Sequence, residues 1–220
     1  MNKESIAVII PAYNEATTIG TVVRVALSSS FVNEVIVVSD GSTDETVRTA
    51  QEAGARTIDL KKNIGKGGAM RKGFEQTQAS VIVFLDADLI GFTGEHLAKL
   101  IRPVLDQTAM MQVGIRDRGV FWTALAHYLP IISGERALRR EILEHIPAQF
   151  YQGFMIEVAL NYHCRTHRLK RGLVDLHGLS IRRKYQKVGW PKAVVQYSLM
   201  ITQIIWAILK VRFAKFIGTF

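Results

Sequence analysis

The chain has 220 residues, 48% of them hydrophobic, which is enough for one sizeable core, and it has no polar tract long enough to divide it into independent domains. Its formal net charge of +9 suits a phosphate-rich ligand or an anionic surface. Paired Cys and His zinc ligands and RNP-like aromatic segments are missing from the sequence, which argues against nucleic acid as the partner. A single cysteine, Cys164, rules out an intrachain disulfide framework and reads as a packing residue in a helix-like stretch. Met1-Asn-Lys-Glu-Ser5 runs into the first apolar segment without an apolar leader, so the expected setting is reducing and cytoplasmic.

Apolar runs of strand length recur along the chain, at Ile6 to Ile10, Glu34 to Val38, Arg56 to Leu60, Val81 to Leu85 and Met110 to Ile115. Helix signals separate them. Asn14-Glu15 opens a segment expected to be helical to about Ser28, and Ser42-Thr43-Asp44-Glu45 opens another that stops at Gly54. Such alternation predicts an α/β fold, a mostly parallel central sheet flanked by helices on both faces. After Arg116 the pattern loosens: a helix is expected from Val120 to Leu129, a turn at Ser133-Gly134 and a helix within Met155 to Arg165.

Residues Ala193 to Leu209 contain no charge and are bounded by Lys192 and Lys210. At 100° per residue, Lys192, Gln196, Gln203 and Lys210 share one narrow sector, so the segment predicts an amphipathic helix with a single polar stripe. It could lie in the plane of a membrane, with Trp206 and Phe213 buried and Lys210, Arg212 and Lys215 facing headgroups. Packing on its own domain or on a second subunit would satisfy the same pattern.

The most informative stretch is Phe84-Leu-Asp86-Ala-Asp88. It sets two carboxylates one residue apart after a buried-strand run, at a sheet edge where ligands bind, and hard oxygens there can hold a divalent cation against a diphosphate. Three other segments fall where such an edge needs them. Pro11-Ala12-Tyr13-Asn14-Glu15 follows the first strand, and Ser39-Asp40-Gly-Ser-Thr-Asp44 follows the second. Asn63-Ile-Gly-Lys66-Gly67-Gly68 opens a helix whose N–H groups, dipole and cations favour anionic oxygen. It is not a Walker A loop, since the spacing is wrong and no Ser or Thr follows the lysine.

In this order and spacing, the four motifs resemble glycosyltransferase family 2 over about residues 5 to 160. The resemblance implies a glycosyltransferase A type fold, a divalent metal (Mg²⁺ or Mn²⁺), and transfer of a sugar from a UDP- or GDP-linked donor. It further implies that Pro11, Ala12, Tyr13 and Glu15 line the nucleotide and that Asp40 reads the base. Lys66 and Gly67 would border the donor, and Asp86, Ala87 and Asp88 would flank the metal and diphosphate, with Asp88 catalytic. Ser39 stands where many members carry a second acid, which leaves the base less determined. Members usually invert the anomeric centre, so inversion is expected. On this reading residues 1–192 form the catalytic domain, 1–115 its nucleotide-sugar half and 116–192 its acceptor half, and 193–220 the C-terminal helix.

Gly153-Phe-Met-Ile-Glu157-Val resembles a stretch of the dolichyl- and polyprenyl-phosphate sugar synthases of the same family. Glu157, a lone acid among apolar neighbours, is the candidate base for a hydroxyl acceptor. With a lipid phosphate as acceptor it would only orient the acceptor or pair with a cation. His177, in a loop after a late strand, is a candidate third metal ligand, with a satisfied hydrogen bond as the blander role. Arg116, Arg118, Arg182, Arg183 and Lys184 are candidate phosphate partners, and Gly134 and Glu135 resemble the family's acceptor-side segment.

The leading expectation is an enzyme at the cytoplasmic face of a membrane, acting on a polyprenyl-phosphate or other lipid-linked acceptor. The alternative acceptor is a small soluble phosphorylated molecule. Two other classes compete. A nucleotidyltransferase would carry a glycine-rich loop after the first strand, where Pro11-Ala-Tyr-Asn-Glu15 stands instead. A non-catalytic nucleotide-sugar-binding module is disfavoured by the intact Asp86 and Asp88. One apolar stripe serves a membrane or a homo-oligomer equally well.

Overall fold

A computed structural model of the chain describes residues 4–116, 133–153, 155–181, 202 and 206–215. The predicted helix at Val120 to Leu129, Arg118, Arg182, Arg183, Lys184 and most of 193–205 lie outside these residues, as does the proposed boundary at residue 192.

The expected α/β sheet is present. Strand β1 (Ile6–Ala12) is buried along its whole length, as a central strand covered on both faces must be. It pairs in parallel with β2 (Glu34–Ser39) on one side and β4 (Val81–Phe84) on the other, and β2 pairs in parallel with β3 (Arg56–Asp59). Beyond β4 lie β7 (Arg136–Arg139), β6 (Met111–Arg116) and β8 (Arg171–Leu176), so the seven strands run in the order β3-β2-β1-β4-β7-β6-β8. Only β7 runs antiparallel to its neighbours. The sheet thus continues across residue 115. A two-stranded sheet of β5 (Leu89–Ile90) and β9 (Ser180–Ile181) stands apart from it.

Helices cover both faces. On one side pack α1 (Ile19–Leu27), α2 (Thr46–Glu52) and α4 (Gly94–Leu105). The spacing of Ile19, Val22, Val23 and Ala26 gives α1 a single apolar stripe, and Leu97, Leu100, Ile101 and Val104 do the same for α4. Helix α4 opens on a capping box in which Thr93 accepts from His96 N and the His96 ring accepts from Thr93 N. The other face is covered by α3 (Lys66–Phe74), the short α5 (Arg140–Glu144), α6 (Met155–Thr166) and the C-terminal helix, 206–215. Cys164 is buried in this second core, as expected of a packing residue.

Two helices begin later than the sequence suggests, for the same reason. Asn14 sits at φ 55°, where its Oδ1 accepts from Thr43 N at 2.8 Å and its N–H donates to Ser42 Oγ. Asp44 accepts from Ala16 N and Thr46 N. These residues tie the loop after β1 to the loop after β2 rather than opening helices, and α1 and α2 start only once that lacing ends.

Candidate active site

Going outward from β1, the chain moves to β2 and β3 on one side and to β4 on the other, so the crevice beyond the C-terminal ends of β1 and β4 is the switch point where open α/β sheets bind ligands. Pro11 and Ala12 end β1, Asp40 directly follows β2, and Asp86 and Asp88 lie just beyond β4. Pro11 and Ala12 are buried, Tyr13 is half-exposed beside them, and Glu15 N donates to Thr46 Oγ1.

Asp40, read from the sequence as a contact to the base, is almost fully buried, and its two oxygens accept from Ile64 N at 2.7 Å and Gly65 N at 2.9 Å. It pins the glycine-rich loop to the end of β2 and so aims the N-terminus of α3 into the crevice. Gly67 belongs to this anchoring: a Cβ there would lie 2.7 Å from the Tyr151 carbonyl carbon, so only glycine lets α3 meet the 151–152 backbone. Ser39 donates to Asp59 Oδ1 at 3.1 Å. A carboxylate therefore stands next to the position where many family members carry an acid, supplied by the neighbouring strand. Asp59 was not singled out in the sequence because it is simply the last residue of a short, partly exposed strand.

The centre of the site is a cluster of opposite charges. Lys66 Nζ lies 2.7 Å from Asp86 Oδ1 and 3.0 Å from Glu157 Oε1. Arg116 reaches Asp86 Oδ2 through Nη1 and Glu135 Oε2 through Nε, each at 3.4 Å. Ser133 Oγ donates to the same Glu135 oxygen, while Arg136, wholly buried, donates through Nε and Nη2 to the Ser133 carbonyl. Gly134 makes the approach possible: a Cβ would fall 2.2 Å from Asp86 Oδ1 and 2.6 Å from Lys66 Nζ.

The electrostatics follow from these contacts. Burial alone would push the Asp86 carboxyl up, but Lys66 and Arg116 outweigh it and pull it down to about 2. Glu135 goes the other way, raised by its burial and only partly relieved by Arg116. Lys66 and Arg116 are both held more firmly protonated than usual despite burial, Lys66 by Asp86 and Glu157 and Arg116 by Glu135, Asp86 and Asp88.

Glu157 pairs with a cation, one of the two roles the sequence left open: it is buried against Lys66, and its Oε2 has no hydrogen bond among the described residues. Arg116, Gly134 and Glu135 gather around Asp86 rather than forming a separate acceptor patch. His177 lies on the turn after β8, exposed, and its carbonyl oxygen is 2.9 Å from His96 Nε2. The β5–β9 pair sets this turn against Gly91, three residues beyond Asp88. Among the described residues, however, no three potential ligands converge, so His177 is not gathered with Asp86 and Asp88. Arg136 was given no role in advance, although its place in the run Ser133-Gly-Glu-Arg136 was the available signal.

A pair of carboxylates with no third ligand gathered to it among the described residues suits a magnesium-type cation that takes its remaining oxygens from substrate phosphates and water. The sequence profile of the family described as "Glycosyl transferase family 2" matches residues 7–163. The chain belongs to glycosyl transferase family 2. Within that family it is similar to the glucosyl-3-phosphoglycerate synthase of Mycobacterium tuberculosis, 29% identical over 194 residues, covering 71% of this chain and 59% of that relative. The chain thus spans less than two thirds of that relative's length. A crystal structure of the M. tuberculosis enzyme with Mn²⁺, uridine-diphosphate-glucose and phosphoglyceric acid superposes with a TM-score of 0.78 at 27% identity, covering 94% of this chain and 79% of that one. Another, with Mg²⁺ and uridine diphosphate, gives a TM-score of 0.71 at 28% identity over 82% of this chain and 72% of that one.

Proposed function

We propose that this family 2 member is a metal-dependent glycosyltransferase that moves a hexose from a UDP-linked donor to a small phosphorylated acceptor. The observation that carries the reading is the Lys66–Asp86–Arg116 cluster, set beside the second carboxylate of Asp86-Ala-Asp88 and under the N-terminus of α3. The likeness to an enzyme crystallised with uridine-diphosphate-glucose and phosphoglyceric acid supports the small phosphorylated acceptor, which stood second in the sequence reading, over the lipid-linked one.

Asp86 and Asp88 would hold a Mg²⁺ or Mn²⁺, which when bound supplies Lewis-acid neutralisation of the leaving diphosphate. The chain's own residues do the rest. The α3 N-terminus would offer N–H groups that lack intrahelical acceptors to phosphate oxygens, and Asp40 fixes its aim. Lys66 and Arg116 hold the Asp86 carboxylate in its ionised, oriented form. Glu157, ion-paired and buried, positions Lys66 instead of taking a proton from the acceptor.

The test is titration of the protein with UDP and GDP, each with and without Mn²⁺, followed by incubation with UDP-glucose and 3-phosphoglycerate. Mn²⁺-dependent UDP binding with formation of a glucosylated phosphoglycerate is the expected result. Metal-independent binding, or turnover only with lipid-extracted acceptors, would overturn the proposal.

A further inference from the structure

The positive charge is not spread along the chain. Asp175 is the last acidic residue, and eight lysines and arginines follow it, so residues 176–220 carry nearly all of the +9. The described helix of that stretch, 206–215, has two unlike faces. Ala207, Val211 and Ala214 are buried in the core formed with α6, whereas Trp206, Leu209 and Phe213 are 58, 59 and 62% exposed. At 100° per residue these three fall within a sector of about 60°, flanked by Lys210 on one side and Arg212 on the other. Lys210 Nζ sits 4.9 Å from the Trp206 ring, and Lys215 Nζ 5.8 Å from the ring of Tyr162 on α6. The helix contains no acid.

Two bulky rings and a leucine in one exposed row are more than scattered surface apolarity, and they need a partner. A second copy meeting this face through a two-fold axis would bring Lys210 and Arg212 near the same cations of the other copy, with no acid on the helix to pair them. A surface of opposite sign does not meet that obstacle. We propose that this face is a docking surface for an anionic lipid bilayer, with Trp206, Leu209 and Phe213 entering the interface and Lys210, Arg212 and Lys215 meeting the headgroups. The helix is already held on the core by its opposite face, so no refolding is needed to present it. The proposal is independent of the acceptor: an enzyme acting on a small phosphorylated molecule can still sit at a membrane.

The test is co-sedimentation of the full chain with phosphatidylcholine vesicles, with and without about one third phosphatidylglycerol, at low and high salt. Partition into the anionic vesicles alone is expected, weakened by salt. The W206S/F213S variant should partition at least roughly tenfold less, from the apolar area withdrawn. K210Q and R212Q should each lose roughly fivefold, as expected for removal of one interfacial charge. All four positions face solvent at least in part, so unchanged thermal melting shows the variants are folded. Equal partition into neutral vesicles, no partition at all, or variants that bind like the parent would overturn the proposal. So would a concentration-dependent dimer that the W206S/F213S variant dissolves, which would assign the face to a second copy.

Discussion

Lys66, the first residue of α3, places its ammonium 2.7 Å from Asp86 on the opposite side of the crevice and 3.0 Å from Glu157, 91 residues further along the chain. One cation thus joins the glycine-rich loop, the paired carboxylates and α6. Removing it leaves a buried carboxylate at Glu157 uncompensated. Lys66→Met should therefore cost about 2–3 kcal/mol, below the usual cost of breaking a buried pair because Lys66 retains some solvent access. That corresponds to a fall of roughly 4–10 °C in thermal midpoint. Adding Glu157→Gln should restore part of it; a single variant that melts like the parent would contradict the pairing.

Asp40→Asn exchanges an oxygen that accepts from a backbone N–H for an amide that cannot. About 1–3 kcal/mol of local stability should be lost. Hydrogen exchange at the Ile64 and Gly65 amides should accelerate, and UDP affinity should drop with it. If affinity fell while both amides stayed protected, Asp40 would be touching the nucleotide directly.

Gly134→Ala places a methyl carbon where Asp86 and Lys66 now meet. Overpacking of this kind typically costs about 1–3 kcal/mol, and the charged pair must separate to admit it. Transfer activity should fall far more than thermal stability, and both should recover little on raising the donor concentration. Activity near that of the parent would mean the pair has room to shift.

Acid should destabilise the metal-free protein through Asp86. Its folded pKa lies below its unfolded value of 3.8, so its contribution is complete above that value and disappears as pH falls from about 4 to about 2. The amount is about 2 kcal/mol. Glu135 has the opposite sign: its raised folded pKa means that ionisation opposes folding, and Glu135→Gln should stabilise the protein at neutral pH. Urea denaturation in EDTA across pH 2 to 7 measures both. An Asp86→Asn variant with the same acid slope as the parent would refute the first statement.

Asp88→Ala removes the second carboxylate without touching the Lys66 bridge. Asp88 is only partly exposed and helps to hold Arg116 charged, so the variant's thermal midpoint in EDTA should fall by a few degrees at most, while Mn²⁺-dependent UDP binding weakens at least tenfold. Calorimetry with and without metal distinguishes this from unfolding.

The sheet and the four motifs were legible because buried parallel strands read as unbroken apolar runs and ligand loops follow them immediately. What failed to read was whatever depends on partners remote in sequence. Glu157 looked isolated because its cation is 91 residues away. β7 was not anticipated as a strand: it is four residues long, begins with Arg136, and no local pattern announces a fully buried guanidinium that is satisfied by a carbonyl three residues earlier. Arg116 was offered as a phosphate ligand on charge alone, whereas its orientation toward Asp86 and Glu135 is set by strand register.

The antiparallel β7 also dictates an order of assembly. Until Arg136–Arg139 arrives, β4 has no partner on its outer side, and its run of Val81–Phe84 is a bare, fully apolar sheet edge. A chain emerging from the ribosome must carry that edge through more than fifty further residues before it closes, a contact too distant in sequence to form early. A fragment ending at residue 116 would keep it indefinitely and should pair with itself into aggregates. The nucleotide half is thus recognisable by eye but cannot be cut free as a working piece.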